Sequence, residues 1–324
     1  MRKMFLIGSI IVSVIFILFL YYTFFAAPGS SKTIEIVTVP QSSSNFDMMD
    51  HLDRKEFIKN KQAFRLLMEL FKKTDQVQPG GYRLSQSMDS FQILKKISSR
   101  PDLVWVKIGS CLRKEQIGEI LSHTLSWKSD ELDKWNTIYT DSLPEYFEGV
   151  YYPDTYLIPR DEPGEAIAKR LINRFNEQFA PYAAPYIKAN IRWTTGLKIA
   201  SLIAREAAGG EDMKLISGII WNRLNIGMPL QIDATMQYTA GKGSDGKWWG
   251  NIDIKEKQKD SPYNSYLYKG LPPTPICNPS IEYIEAALNP EETPCLFYLH
   301  DKNKQIHCAK TYEEHLENIT RYLE

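Results

Sequence analysis

The stretch Ile199-Ala200-Ser201-Leu202-Ile203-Ala204-Arg205-Glu206 predicts the helix around which the C-terminal half of this chain is organised. Its large apolar residues recur at intervals of three and four positions, the spacing that places side chains on one face of an α-helix. Glu206 continues the series seven positions after Ile199, so its carboxylate is predicted to lie on the apolar face. Lys198, Ser201 and Arg205 are predicted to share the polar side.

An inward-facing carboxylate has a specific chemical use. Loss of hydration raises the pKa of a carboxyl group and keeps it protonated nearer to neutral pH. A group in that state can act as a general acid toward a glycosidic oxygen. Two structural alternatives for Glu206 stay open, because at the edge of the stripe it could reach solvent or pair with a cation such as Arg223. The periodicity alone favours these alternatives.

The predicted elements around this helix are mostly helical. The segment before it and the segment after it show helical periodicity, and a hairpin is predicted near the C-terminus. In chain order, the predictions are a helix with a buried face of Ile167, Leu171, Phe175 and Phe179, a helix from Trp193 to Ala208, a helix from Asp212 to Leu224, a helix that begins at Pro279 after an Asn278 N-cap and ends at Leu288, and a hairpin of Cys295 to Leu299 with Gln305 to Ala309.

A segment of about 50 residues, from Gly227 to Pro279, is predicted to be mostly irregular, and long irregular segments within a compact domain are often functional. Aromatic faces with amide and carboxylate neighbours suit sugar rings, which have an apolar C–H face and a rim of hydroxyl groups. For any single aromatic residue, simple packing onto the core is the better interpretation. The residues in question are Trp248, Trp249, Tyr263, Tyr266 and Tyr268, with Gln231, Asp233 and Asn264 as their polar companions.

The N-terminal half predicts a different architecture. Strands alternate with helices, which indicates a small α+β region over residues 32–135 with no catalytic constellation. The predicted strands are Ile34 to Val39, Tyr82 to Leu84 and Leu103 to Ile108, and the predicted helices are Phe57 to Lys73, Met88 to Ile97 and Arg113 to His123. The sequence therefore predicts an α+β protein with a cytoplasmic tip (residues 1–3), a transmembrane helix (residues 4–27), this region, and a mixed α/β catalytic domain (residues 136–324).

The segment from Met4 to Ala27 contains no charged residue and is long enough to cross a bilayer core of roughly 30 Å. Arg2 and Lys3 precede it, so the positive-inside rule predicts a cytoplasmic N-terminus and an extracytoplasmic catalytic domain. A cleaved signal peptide is the alternative, because Phe25-Ala26-Ala27 resembles a cleavage site. The apolar segment is longer than the usual signal peptide, which favours a retained anchor.

Composition and motifs exclude several functions. Lys and Arg number 39, as do Asp and Glu, and this balance disfavours nucleic acid as a partner. The sequence contains no phosphate-binding glycine motif, no nucleophile elbow and no zinc motif, so neither a cofactor nor a metal is predicted. The four cysteines, Cys111, Cys277, Cys295 and Cys308, lack metal-ligand spacing. Cys295 and Cys308 flank the predicted hairpin and could form a disulfide, although buried free thiols are slightly favoured.

Several blocks of sequence, in order, resemble the endolytic murein transglycosylases, the YceG-like or MltG family. They extend over about residues 145–315 and include the stretch that ends at Glu206. The other matching blocks are Glu148-Gly149 with Tyr152-Pro153-Asp154-Thr155-Tyr156, Asn222-Arg223-Leu224-Asn225-Ile226-Gly227-Met228-Pro229-Leu230-Gln231-Ile232-Asp233-Ala234-Thr235, Ser261-Pro262-Tyr263-Asn264-Ser265-Tyr266, Gly270-Leu271-Pro272-Pro273-Thr274-Pro275-Ile276, Asn278-Pro279, and finally His307 and His315.

This resemblance implies a single-pass inner-membrane protein of bacteria, with a LysM-like region before the catalytic domain. The implied reaction is lytic cleavage of MurNAc-β-1,4-GlcNAc bonds in nascent peptidoglycan strands, which leaves 1,6-anhydro-MurNAc ends and terminates strand elongation. The catalytic glutamate of the family falls on Glu206, and Gln231, Asp233, Tyr263, Asn264 and Tyr266 would line the glycan cleft. Peptidoglycan synthases are the implied protein partners.

Two departures from the family pattern are visible. The N-terminal region matches weakly, which leaves glycan binding by residues 32–135 open, and Cys308 stands where an aromatic residue is common. Two other functions also remain possible. One is a hydrolase of the same substrate in which Asp233 positions a water. The other is a non-catalytic scaffold of wall synthesis in which Glu206 is structural.

Overall fold

The computed structural model describes residues 2–41, 45–141 and 148–324, and these form two compact units. The first unit comprises Met1–Val106 and Thr155–Glu162, and the second comprises Lys107–Asp154 and Pro163–Glu324. The boundary between residues 135 and 136 that the sequence predicts stays a prediction. The mixed α and β composition with an apolar N-terminal helix is confirmed.

A four-stranded sheet forms the centre of the first unit. Its strand order is β1-β2-β3-β4, with β1 antiparallel to β2 and β2 antiparallel to β3. The apolar side of the sheet packs against helices, and Val37, Tyr82 and Leu84 are fully enclosed there. The strands are β1 (Glu35–Val39), β2 (Gly80–Leu84), β3 (Leu103–Lys107) and β4 (Thr155–Pro159), and the helices are α1 (Arg2–Phe24), α2 (Asn45–Arg54), α3 (Lys61–Leu70), a 3-10 turn (Thr74–Gln76) and α4 (Ser90–Ile97).

Helix α1 carries the predicted anchor. Its segment Leu6–Phe24 has 19 residues with a mean hydropathy of 2.4, and none of it is buried within the protein. A helix of this length and composition fits a membrane span. The LysM-like character of the region that follows stays a prediction, because nothing in the sheet or its helices tests glycan binding.

Local capping explains why two helices of this unit are shorter than predicted. The Asn60 side chain accepts a hydrogen bond from the backbone N–H of Ala63, so α3 begins at Lys61 rather than at Phe57. Asp89 and Gln92 form a capping box, so α4 begins at Ser90 rather than at Met88. Each side chain satisfies N–H groups that have no partner within the helix, which fixes the helix start.

Helix α8 is the centre of the second unit, where α9, α10 and α11 pack against it. Its apolar residues Ile199, Leu202 and Ile203 are fully buried, as the periodicity predicts. The elements of this unit are α5 (Lys114–Leu125), α6 (Ser129–Lys134), a π-helical turn (Trp135–Tyr139), α7 (Gly164–Lys188), α8 (Trp193–Glu206), α9 (Met213–Asn225), α10 (Asp233–Ala240), a 3-10 turn (Glu256–Gln258), α11 (Ile281–Leu288), an antiparallel hairpin of β5 (Phe297–His300) and β6 (Ile306–Ala309), and α12 (Tyr312–Tyr322).

The elements of this unit differ in detail from the sequence predictions. The segment predicted to be mostly irregular contains one short α-helix, α10, and the residues after the hairpin form α12, for which the sequence analysis makes no prediction. Asn278 is not a helix cap, because α11 begins at Ile281 after Ser280. The Asn278 side chain is buried and joins two other segments, donating to the carbonyls of Gly109 and Tyr151.

All four cysteines form disulfides, so the preference for free thiols was wrong. Cys295 pairs with Cys308 across the hairpin, and Cys111 pairs with Cys277, 166 residues later in the chain. The Cα atoms are 5.9 Å and 4.7 Å apart, within the range that a disulfide bridges. Sequence spacing could not reveal the second pair, because only the fold brings the loop before α5 to the loop before α11.

Candidate active site

Glu206 is the last residue of α8, where the chain leaves the helix. The three apolar residues that precede it on the same face are buried, so the helix delivers the Glu206 carboxylate to the edge of the core. The side chain is partly buried there rather than free in solvent. Its placement on the apolar face, predicted from the spacing, is therefore present in the structure.

Tyr298 on β5 holds the carboxylate. Its hydroxyl donates a hydrogen bond of 2.6 Å to Glu206 Oε2. Burial raises the pKa of Glu206, the hydrogen bond from Tyr298 opposes that rise, and the negative charge of Asp233 adds to it. The net direction is upward, which favours the protonated carboxyl that a general acid requires. Sequence reasoning missed Tyr298, which lies 92 residues further along the chain.

Asp212 and His300 fix the segment that follows Glu206. Asp212 Oδ2 accepts the backbone N–H of Ala208 at 2.8 Å and lies 2.8 Å from Nε2 of His300. The edge of the His300 ring packs against Tyr298, with ring centroids 6.0 Å apart. The end of α8 and strand β5 are thus joined twice, once through Tyr298 and once through this pair, which limits the movement of the Glu206 carboxylate.

Arg223 does not neutralise Glu206. Its guanidinium donates from Nε to the carbonyl of Leu296 at 2.6 Å and from Nη1 to the carbonyl of Leu230. Within the described ranges, it forms no ion pair with Glu206. The pairing that the sequence left open is therefore not the arrangement found, and Arg223 instead ties α9 to two neighbouring segments.

The predicted substrate residues Asp233 and Tyr266 lie together with Lys257. The Tyr266 hydroxyl donates to Asp233 Oδ1, and Lys257 Nζ lies 2.8 Å from the same oxygen and 3.0 Å from the Tyr266 hydroxyl. Asp233 opens α10, where a carboxylate interacts favourably with the N-terminal end of the helix dipole. Gln231, two residues earlier, is exposed and has a left-handed backbone, with φ at 54°.

Asn264 lies in the loop between Tyr263 and Tyr266 and is only 1% exposed. Its amide nitrogen donates to the carbonyls of Lys257 and Lys259 at 3.0 and 2.8 Å, and its oxygen accepts the backbone N–H of Tyr266 at 2.9 Å. These bonds hold Tyr266 and Lys257 in one loop. Direct contact between Asn264 and a sugar stays a prediction.

The aromatic residues of the long loop divide into two groups. Tyr263 packs on Tyr238, with centroids 5.0 Å apart, and bonds Thr274 through its hydroxyl at 2.7 Å. Trp248 and Trp249 are partly exposed and donate to Glu119 and Gln116 on α5. Tyr268 is exposed and donates to Asp260. Tyr263 is therefore fixed against α10, and cations lie over both tryptophan rings: Arg113 Cζ is 4.8 Å from the Trp248 centroid, and Arg205 Cζ is 4.2 Å from the Trp249 centroid.

Around Glu206 the structure assembles a protonatable carboxyl, a hydroxyl that orients it, and a polar loop built on Asp233, Lys257 and Tyr266. Such a set can exchange one proton with a bound molecule and hold its polar groups. Among the described residues, no group of three or more His, Cys, Asp or Glu side chains is placed to hold a metal ion.

Several known proteins are similar to this chain. A Bacillus subtilis (strain 168) protein named endolytic murein transglycosylase is 30% identical over 317 residues, which cover 90% of this chain and 86% of that protein. A protein of the same name from Streptococcus pneumoniae D39 is 27% identical, and the match covers 91% of this chain but 59% of that longer relative. A crystal structure of a YceG-like protein from Listeria monocytogenes superposes with a TM-score of 0.61 at 28% identity, covering 89% of this chain and 99% of that one.

The YceG-like family matches residues 37–321, which is most of the chain and includes both α8 and the hairpin that carries Tyr298. The resemblance read from the sequence blocks is confirmed. The protein belongs to the YceG-like family.

Proposed function

We propose that this protein is an endolytic murein transglycosylase, a lyase that cuts MurNAc-β-1,4-GlcNAc bonds within nascent peptidoglycan strands. The observation that carries the proposal is the partly buried Glu206 carboxyl, whose pKa is raised and which Tyr298 orients at 2.6 Å. The family supplies the substrate class, because its relatives in two bacteria are named for this activity.

One carboxyl suffices if it acts twice. Glu206 gives its proton to the glycosidic oxygen, and the bond between that oxygen and C1 of MurNAc breaks. The C6 hydroxyl of the same MurNAc then closes onto C1, and Glu206 takes the hydroxyl proton. Water is not consumed, the carboxyl returns to its protonated state, and the new end is a 1,6-anhydro sugar. Elongation of the strand ends at that sugar.

The polar loop supplies the groups that would hold the glycan. Gln231, Asp233 and Tyr266 lie at the start of α10 and in the loop that Asn264 organises, and Tyr263 directly precedes Asn264 in that loop. Dipoles and hydroxyl groups fixed in this way can stabilise an oxocarbenium-like transition state without reorganising. This loop is therefore proposed as the wall of the glycan cleft.

Hydrolysis is the alternative chemistry, with Asp233 as the residue that positions water. Lys257 and Tyr266 both contact Asp233 Oδ1, so one of the two carboxylate oxygens is already engaged. A non-catalytic scaffold is the third possibility, and against it stands the partial exposure of Glu206, whose Oε1 is not hydrogen-bonded to any of the described residues.

Mass analysis of the new chain ends separates the three. The full chain in detergent would be incubated with uncrosslinked glycan strands in heavy-oxygen water. We expect anhydro ends, lighter than reducing ends by one water and free of label. Labelled reducing ends as the main product would reassign the reaction to hydrolysis and make Asp233 the base. Strands that stay intact after long incubation would support the non-catalytic scaffold.

The membrane position is also a proposal. Arg2 and Lys3 before the apolar helix favour a cytoplasmic N-terminus, so that the catalytic unit lies outside the plasma membrane beside the synthases that extend its substrate. A reporter fused after Glu324 should be active only outside the cytoplasm, and the mature protein should retain residues 4–27. A mature N-terminus at Pro28 would replace the anchor with a cleaved signal.

A further inference from the structure

Arg205, the residue before Glu206, is a cation that lacks the usual partners. Its guanidinium lies over the Trp249 ring, with Cζ 4.2 Å from the ring centroid. Its Nε is buried, and no acceptor within residues 2–41, 45–141 and 148–324 bonds to it. Burial lowers the pKa of Arg205 and the charge of Glu206 opposes that shift. Arg205 is thus a partly buried cation whose Nε has no hydrogen-bond acceptor among the described residues, which is energetically costly.

Other arginines of the same unit are satisfied. Arg113 Nε donates to Glu115 at 3.0 Å, and Arg223 Nε donates to a carbonyl at 2.6 Å. Arg174 Nε donates to Asp154 at 2.8 Å. Among the buried side-chain atoms that lack a partner in the described residues, Arg205 Nε is the one that belongs to a permanently charged group. An orphaned donor of this kind points to an acceptor that the chain itself does not provide.

The Trp249 ring is held in place under the Arg205 guanidinium. Its ring nitrogen donates to Gln116 Oε1 at 2.9 Å, and its backbone is left-handed, with φ at 64°. A non-glycine residue adopts that conformation at a cost, so the loop is constrained to hold the ring where it is. A guanidinium stacked on an aromatic face leaves its N–H edge for in-plane acceptors, and Nε with one Nη matches the two oxygens of a carboxylate.

We propose that Arg205, stacked on Trp249, binds a carboxylate of the glycan substrate next to the catalytic Glu206. This inference rests on the proposed function for its ligand class. Muramic acid carries a lactyl carboxylate, which is free on bare strands and amidated where a stem peptide is attached, and stem peptides carry carboxylates of their own. Since Arg205 and Glu206 are consecutive at the end of α8 and their charges interact, an anchored carboxylate would position the muramic acid residue whose C1 reacts.

Binding without turnover tests the proposal. The full chain carrying Glu206→Gln, in detergent, would be titrated with a MurNAc–GlcNAc tetrasaccharide that lacks stem peptides, and with the methyl ester of its lactyl carboxylates. We expect the free acid to bind about tenfold more tightly or better, the strength of a charge-assisted hydrogen-bonded pair. In a variant that also carries Arg205→Gln, the acid and the ester should bind with about equal affinity. Arg205→Lys should keep part of it, because a point charge remains without the fork.

Arg321 offers a matched control, since it stacks on Tyr322 at 5.3 Å but lies on the exposed α12. Arg321→Gln should leave the preference for the acid unchanged. A second pair of probes is a glycan with stem peptides whose carboxylates are either free or amidated. If only this pair differs in affinity, the carboxylate that Arg205 binds belongs to the stem peptide rather than to the lactyl group. Equal binding of acid and blocked forms in both pairs, or a preference that survives Arg205→Gln, overturns the subsite alone. Failure to bind any of the probes removes the glycan cleft itself, and the subsite with it.

Discussion

In the second unit, the pair of Glu148 with Tyr238 and the pair of Glu206 with Tyr298 look alike and differ in what surrounds them. Glu148 Oε2 accepts a hydrogen bond from Tyr238 at 3.0 Å, and Glu206 Oε2 accepts one from Tyr298 at 2.6 Å. Burial raises the pKa of both carboxyl groups, that of Glu148 to about 8. By the direction of the pKa alone, Glu148 would be as good a candidate for a general acid as Glu206.

Access to solvent distinguishes them. Glu148 is 0% exposed, and its second oxygen accepts the backbone N–H of Lys114 at 2.8 Å, at the first residue of α5. Both of its oxygens therefore serve the fold. Glu206 is partly exposed, and its Oε1 is not hydrogen-bonded to any residue in the described ranges. The comparison teaches that a raised pKa marks burial, and that a catalyst also needs an oxygen left for the substrate.

The largest expected effect is the loss of strand cleavage when Glu206 can no longer exchange a proton. Glu206→Gln should lower strand cleavage by about a thousandfold, because an amide of nearly the same shape cannot exchange a proton. Its unfolding temperature should stay near that of the wild type, since the amide has nearly the same shape and its oxygen can still accept the hydrogen bond from Tyr298. The rate at which glycan fragments form measures the cleavage activity, and thermal unfolding measures the stability.

Glu148→Gln is the matched control for that loss, because the same chemical change is made in the enclosed pair. Its activity per folded molecule should remain within about threefold of wild type, far inside the change expected for loss of a general acid. A folded and fully active Glu206→Gln variant, or a Glu148→Gln variant that folds but cannot cleave, would reverse the assignment of catalytic and structural carboxyl groups.

The next effect is on the pH dependence of stability. The pKa of Glu148 is raised in the folded protein, so the folded state holds a proton that the unfolded state releases at lower pH. Its contribution to the free energy of unfolding is therefore fully present below about pH 4.5 and is lost as the pH rises to about 8, at about 1.4 kcal/mol per unit. Denaturant unfolding at pH 5, 6, 7 and 8 should show a steeper decline for wild type than for Glu148→Gln. Parallel curves would mean that Glu148 is not protonated in the fold.

The same two pairs show how far the sequence could be followed. The inward position of Glu206 was predictable because it depends on the 3.6-residue period of a single helix. Tyr298 was not, because it reaches Glu206 through the packing of a hairpin 92 residues away. Glu148 was visible only as part of a family motif, and its role as a partner of α5 depends on a contact between residues 34 positions apart.

Local signals account for some of the missed elements. Helix α12 could have been found from Thr311 and Glu314, which form a capping box. Strand β4 is short, but its buried Tyr156 and Ile158 alternate with more exposed neighbours. Helix α10 offers little apolar periodicity, and its position depends on Ser265, whose side chain bonds Ile232 and Thr235 at its start. Tertiary contacts of that kind leave no pattern in the sequence.

The smallest effect, and the sharpest test of the comparison, comes from removing one hydroxyl from each pair. The Tyr298 hydroxyl donates to the charged form of Glu206 and so restrains the rise of its pKa. Tyr298→Phe should raise that pKa further and loosen the carboxylate, lowering kcat/KM by about tenfold, the worth of a hydrogen bond to a charged group. The alkaline limb of the pH profile of kcat/KM should move to higher pH, because the free enzyme stays protonated longer. Tyr238→Phe should instead cost about 1–3 kcal/mol of stability, since a buried oxygen of Glu148 loses its donor, and should leave the pH profile in place. A merely structural Tyr298 would reduce stability without moving the alkaline limb, and that outcome would separate Glu206 from the hydroxyl that is proposed to tune it.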